Sequence, residues 1–124
     1  MGIPTRRALF AASLLLAVFA IPAASQDAPK ELTGTYAIAG KEAIDPPPGQ
    51  AKDTHLQLFL SGNAARDLYQ AMKVKEVPDE CIGHNAHSKF QGGIACTKHE
   101  GGKEYECSLS IDIKGQKLDP IYDC

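Results

Sequence analysis

The sequence predicts a small α+β domain, one helix packed on a small antiparallel sheet and stapled by disulfides. Three observations lead there. Residues Glu104 to Ile113 alternate polar and apolar without a break, the period of a half-buried strand. Ala64, Leu68, Ala71 and Met72 recur at helical spacing directly after a second alternating run, His55 to Leu60. Four cysteines, Cys81, Cys96, Cys107 and Cys124, form an even set with no close pair, which in a short chain reads as a disulfide framework.

The first 25 residues stand apart from that domain. Arg6 and Arg7 precede an uncharged apolar run from Ala8 to Ile21, and Pro22 and the small residues Ala23-Ala24-Ser25 follow it. This is the signal-peptide pattern, with cleavage expected after Ser25. The run is shorter than the roughly 20 residues a bilayer span needs, and no second apolar segment follows. The paired arginines leave the twin-arginine route open beside the general secretory one. No cysteine follows the cleavage region, so no lipoprotein anchor is expected. Residues 26–124 then form a single domain with 11 basic and 15 acidic side chains, a net charge of −4. Without a basic stripe, binding to nucleic acid or to anionic lipid is disfavoured. The expected location is the periplasm or the exterior, with no membrane span in the mature protein.

The elements follow in order. Leu32 to Ala39 suits a short strand weakened by Gly34. Pro46-Pro47-Pro48-Gly49 forbids helix or central strand and reads as an extended connector. His55 to Leu60 is a strand with Leu56, Leu58 and Leu60 on one face and Phe59 on the other. Ser61-Gly62-Asn63 stops it and caps a helix expected over Ala64 to Lys73. The pattern is lost from Pro78 to Lys89, so Val77 to Gln91 is expected to be an exposed loop tethered by Cys81. Ile94 and Cys96 alternate ahead of a turn at Gly101-Gly102 or Glu100-Gly101, which folds them onto the strand from Glu104. A last short strand follows Lys114-Gly115-Gln116.

Structural zinc sites usually bring cysteines in close pairs, and a redox pair needs C-x-x-C. Neither spacing occurs here. Four cysteines allow three pairings. With the turn centred on Gly101-Gly102, Cys96 and Cys107 face each other. They can bond directly, or each can reach outward to Cys81 and Cys124. The outward arrangement is slightly favoured because it ties both the loop and the C-terminus to the sheet.

Candidate chemistry is sparse. His84 and His87 lie three apart, and His99 sits near the hairpin turn, so three imidazoles are the candidate ligands for zinc or copper. Ser61 lacks the glycine-flanked elbow of a nucleophile. Glu100, Glu104 and Glu106 alternate with buried positions and are expected on a solvated sheet face. No phosphate loop or dinucleotide fingerprint is present, and the chain has no tryptophan. No cofactor is expected and no catalytic residue is assigned. The Val77–Gln91 loop is the expected recognition surface, with Gly83, His84, Asn85, His87 and Lys89 as its candidate contacts.

Gly62, Ala64, Ala65, Leu68 and Tyr69 make a G-x-A-A-x-x-L-Y helix motif. Cys81, Gly93, Cys96, Tyr105 and Cys107 make a C…G-x-x-C…Y-x-C tail. In these two motifs, covering about half the chain, the sequence resembles small exported proteobacterial proteins without an established activity. The resemblance implies an exported, cross-linked domain and carries over no functional residue. The sequence therefore points to a non-enzymatic binding or inhibitor-type module of the cell envelope, whose partner is another envelope or extracellular protein. A periplasmic metal-binding protein using His84 and His87, and a small secreted enzyme, are the alternatives. The acidic balance suits a basic partner. Intact mass of protein from the periplasm is expected to show a start at Gln26 and the loss of four protons relative to the reduced chain. Free thiols or an added metal mass overturn the disulfide expectation.

Overall fold

The alternating runs become strands, and the helical run becomes the helix that covers part of them. The structure is a computed structural model describing residues 2, 28–42 and 47–121. The signal-peptide segment apart from Gly2 lies outside these residues, as do Pro46 and Cys124. In chain order the elements are β1 (Gly34–Ala39), β2 (His55–Ser61), α1 (Gly62–Ala71), β3 (Val77–Pro78), β4 (His87–Gln91), β5 (Ile94–Lys98), β6 (Tyr105–Asp112) and β7 (Lys117–Asp119). All strand pairs are antiparallel. The order across the sheet is β1-β2-β6-β5-β4-β3, and β7 also pairs with β6, beyond the end of β5. The small α+β class is thus the observed one. Among the described residues no helix is long and apolar enough to cross a membrane.

The hairpin of β5 and β6 has the register centred on Gly101-Gly102, with Cys96 directly opposite Cys107. The connection is wider than a two-residue turn. A 3₁₀ turn spans Glu100–Gly102 and is closed by the His99 N–H donating to the Glu104 carbonyl at 3.0 Å. Cys96 and Cys107 bond to each other, so the outward pairing is overturned. The reason is register: neighbours facing across the sheet are already within bonding reach, whereas reaching outward would turn both sulfurs out of the core.

The helix-facing side of the sheet is built around this bridge. Cys96 is fully buried and Cys107 is 3% exposed, beneath Ala65, Tyr69 and Met72 of the helical segment. Leu60, Leu68, Val74, Ile94 and Tyr105 pack around them. Tyr69 meets Tyr105 edge-on at 5.4 Å between centroids, a geometry aromatic pairs favour. The helix starts immediately after β2, with Ser61 extended at its N-cap and no side-chain cap bond. It stops at Ala71, two residues before the expected Lys73, because Met72 turns extended and buries its side chain. Lys89 Nζ then donates to the carbonyls of Tyr69 and Met72, at 2.9 Å each. A cation at a helix C-terminus satisfies carbonyls the helix itself cannot.

Ten residues of helix do not cover the whole face. Register aligns Tyr36, Leu58, Leu109 and Ile94 in one row. It aligns Ile38, Leu56, Ile111 and Leu118 in the next. Tyr36, Ile38 and Leu118 are exposed.

The Val77–Gln91 segment is not one loop. Its ends are the strands β3 and β4, and only the stretch between them is a loop. Gly92 and Gly93, at φ 58° and 89°, form the two-residue turn joining β4 to β5. Two successive positive φ values are what a primed hairpin turn requires, and glycine supplies them without strain.

Replacing both Cys96 and Cys107 with alanine is expected to cost about 3 kcal/mol of stability by the chain-entropy estimate for a loop of this size. Urea denaturation measures it. A loss well under 1 kcal/mol would show that packing alone holds the hairpin.

Candidate functional site

The opposite face of the sheet was expected to meet solvent. It does so only in part. Glu100, Glu104 and Glu106 are exposed as expected, but Ser88 is 0% and Ser110 1% exposed, and Thr97, His55 and Gln57 are also buried there. Polar alternation therefore marked a face lined with buried hydroxyls and amides. Short polar side chains that find partners can be buried at little net cost, which is why the binary pattern does not distinguish this face from a wet one.

Asp79 organises the wall above it. The Asp79 N–H donates to the Ala86 carbonyl, and the Asp79 carbonyl accepts from Gly83 N–H. The Asp79 carboxylate accepts from the Ile82 N–H at 3.4 Å and from Ser88 Oγ at 2.6 Å. With its one proton committed to Asp79, Ser88 Oγ accepts from Thr97 Oγ1 at 2.7 Å. This chain of bonds ties the 79–86 loop to β4 and β5.

Between that loop and Ile121 lies a cleft of about 540 Å³. Phe59, Ile82, Phe90 and Ile121 supply apolar walls, and Thr97 and Ser108 line it with hydroxyls. Cys81 also lines it and is not a free thiol. A concave site with apolar walls and a few polar groups has the general character of a ligand-binding surface.

The candidate contacts from the sequence are dispersed around this wall. His84 is exposed at the loop tip beside Gly83. Asn85 Nδ2 donates to Glu100 Oε1 at 3.2 Å. His87 and Lys89 point to the helix side, since Lys89 shares the face of Cys96 by register. Lys89 is thus a helix-end partner that sits on β4, not on the loop. His87 Nδ1 lies 3.2 Å from the Asn85 carbonyl, and His99 Nε2 lies 3.0 Å from Glu106 Oε2. The three predicted ligands His84, His87 and His99 are not brought together. Among the described residues the structure gathers instead His55, Asp112 and Asp119, with one ligand atom of each within 4.8 Å of the others. His55 Nε2 lies 3.1 Å from Asp119 Oδ2. That hydrogen bond is the main cause holding the Asp119 carboxyl below its ordinary range, and Lys117 adds to it. No local motif could have announced this group, because His55 and Asp119 are 64 residues apart.

A second polar group lies at the helix end. The Tyr69 hydroxyl donates to Glu76 Oε2, which also accepts from Lys98 Nζ at 2.9 Å. Lys89 Nζ sits 4.5 Å above the Tyr69 ring, within cation–π range. Burial, and then the bond to Glu76, push the Tyr69 phenol up, while Lys98 and then Tyr69 hold Glu76 down at about 2. Both shifts move these groups away from neutral pH, opposite to what acid–base catalysis needs. The network is a clasp between the helix end and β5.

Comparison with known protein families, curated proteins and solved structures finds no match.

The clasp sets a pH dependence. A carboxyl held at about 2 against an ordinary 4.5 stabilises the fold above pH 4.5, and that contribution is lost as pH falls towards 2. Melting curves from pH 6 to pH 2 are expected to show this loss in the wild type and a shallower slope in Glu76→Gln. Identical slopes would show that the clasp contributes nothing.

Proposed function

We propose that the protein is an exported, non-enzymatic binding module of the cell envelope that holds a partner protein in the cleft opposite the helix. The observation that carries this reading is the cleft itself: about 540 Å³, walled by Phe59, Ile82, Phe90 and Ile121, beside a loop held by Asp79. Loops fixed on a rigid scaffold are common carriers of recognition. The buried Cys96–Cys107 disulfide and the absence of a spanning helix among the described residues fit an exported chain. In this reading the signal peptide is cleaved near Ser25 and the mature protein resides in the periplasm. Cys81, which is not a free thiol, belongs to a second disulfide that anchors one wall of the cleft. A non-catalytic role fits the available groups, since the Ser88 hydroxyl is fully buried and committed to Asp79, and the Tyr69 phenol is raised. The charge of −4 on residues 26–124 favours a basic partner carrying an apolar segment.

Site-specific photo-crosslinking in the periplasm tests the reading. A photoreactive residue at Ile82, in the cleft wall, is expected to give a discrete protein adduct, while one at Lys73, on the exposed helix side, gives none. Equal patterns from both positions, or no adduct from Ile82, would sink the proposed surface.

A further inference from the structure

Three strands bring chemistry to one corner of the sheet. His55 opens β2, Asp112 closes β6 and Asp119 closes β7. His55 and Asp112 are direct partners in register, and Asp119 is the partner of Ser110, two residues from Asp112 on the same face. His55 is 4% exposed, so its ring is fixed. Thr54 Oγ1 lies 2.7 Å from Nδ1 and Asp119 Oδ2 lies 3.1 Å from Nε2. Asp112 is held too: its Oδ1 accepts from the Gly115 N–H at 2.8 Å. A Cβ at position 115 would collide with the other oxygen of that carboxylate.

A second observation points to the same corner. Two buried side-chain oxygens among the described residues have no hydrogen-bond partner, Ser110 Oγ and Gln50 Oε1. Ser110 is 1% exposed, faces the same side as Asp112 and lies across from Asp119. Gln50 lines a cavity of about 540 Å³ together with His55 and Asp112. Buried oxygens without partners are rare and costly. Here they mark a corner with room for a further polar occupant.

We propose that His55 Nε2 and the carboxylates of Asp112 and Asp119 form a site for a divalent transition-metal ion of the zinc type. One imidazole with two carboxylates suits such an ion, whereas calcium and magnesium prefer all-oxygen sets. Donors bound to zinc lie about 3.4 Å apart when each bond is about 2.1 Å, and the three ligand atoms here fall within 4.8 Å of one another. Thr54 Oγ1 accepts the Nδ1 proton and leaves the Nε2 lone pair for the metal, the usual role of an outer partner to a ligating histidine. Without metal, Nε2 carries the proton and donates it to Asp119, while Lys117 Nζ, 3.4 Å from Asp119 Oδ1 and on a side chain 63% exposed, balances the charge. On binding, the single ring proton passes from Nε2 to Nδ1, where Thr54 Oγ1 accepts it, and Lys117 swings outward. The bound ion joins β7 to β2 and β6. This site is separate from the cleft, and neither reading depends on the other.

Calorimetric titration of the metal-free chain with zinc sulfate, and in parallel with calcium chloride, tests the site. One zinc ion per chain is expected, with no calcium uptake. Asp112→Asn and Asp119→Asn are each expected to weaken zinc binding by ~10-fold or more while the metal-free variants still melt cooperatively. The double variant His84→Ala/His87→Ala is expected to bind as the wild type does. Because substitution of the buried His55 can disturb folding, its role is read without mutation, from the ¹⁵N shift of its Nε2 on zinc addition. No uptake by the wild type at millimolar zinc, unchanged affinity in both asparagine variants, loss in the His84/His87 double variant, or an unmoved His55 Nε2 each overturns the proposal.

Discussion

The bridge between Cys96 and Cys107 occupies the place where a larger domain would have a broad apolar core. Its two sulfurs are the centre of the helix-facing side, and what packs there is chosen to fit over them. Ala65 is fully buried, and Cys107 Sγ lies 3.4 Å from its carbonyl oxygen. Only a small side chain permits so close an approach of helix backbone to sheet. Tyr69 and Met72 then close the sides. A domain of about 100 residues buries only part of its unfolded surface, so a covalent link at the centre substitutes for apolar area the chain does not have. The same link fixes the β5–β6 register, and with it which residues face each side of the sheet.

That division produces two unlike surfaces. The helix side is apolar and covered over part of its extent. The other side is polar at its floor, with Ser88, Thr97 and Asp79 tied in one chain of hydrogen bonds, and apolar only where Phe59, Phe90 and Ile121 rise around the cleft. The arrangement separates support from recognition. Lys89, Lys98, Glu76 and Tyr69 hold the helix end on one side, while the loop organised by Asp79 shapes the other.

Much of this could be read from the chain, and the failures have definite causes. β6, β2 and α1 were legible because each repeats its apolar residues at a single clear period. β4 was not, because His87-Ser-Lys-Phe-Gln91 inverts the usual code. Its Ser88 is buried by bonds to Asp79 and Thr97, and its Lys89 points inward to helix carbonyls. The Gly92-Gly93 pair was the available signal for that hairpin. The sulfur pairing went against expectation because proximity in register outweighs any advantage of tethering distant segments. The His55 corner was out of reach for a different reason: its members meet only through strand pairings that join distant parts of the chain.

The two borders of the sheet are unequal. At one, β3 is two residues long and includes Pro78, which lacks the N–H that a further strand would need. At the other, β1 runs for six residues with Tyr36 and Ile38 exposed beside it. Such an edge is a template for another strand. A strand docking on β1 finds six residues to pair with and one on β3 only two, so an added strand is directed to the β1 border.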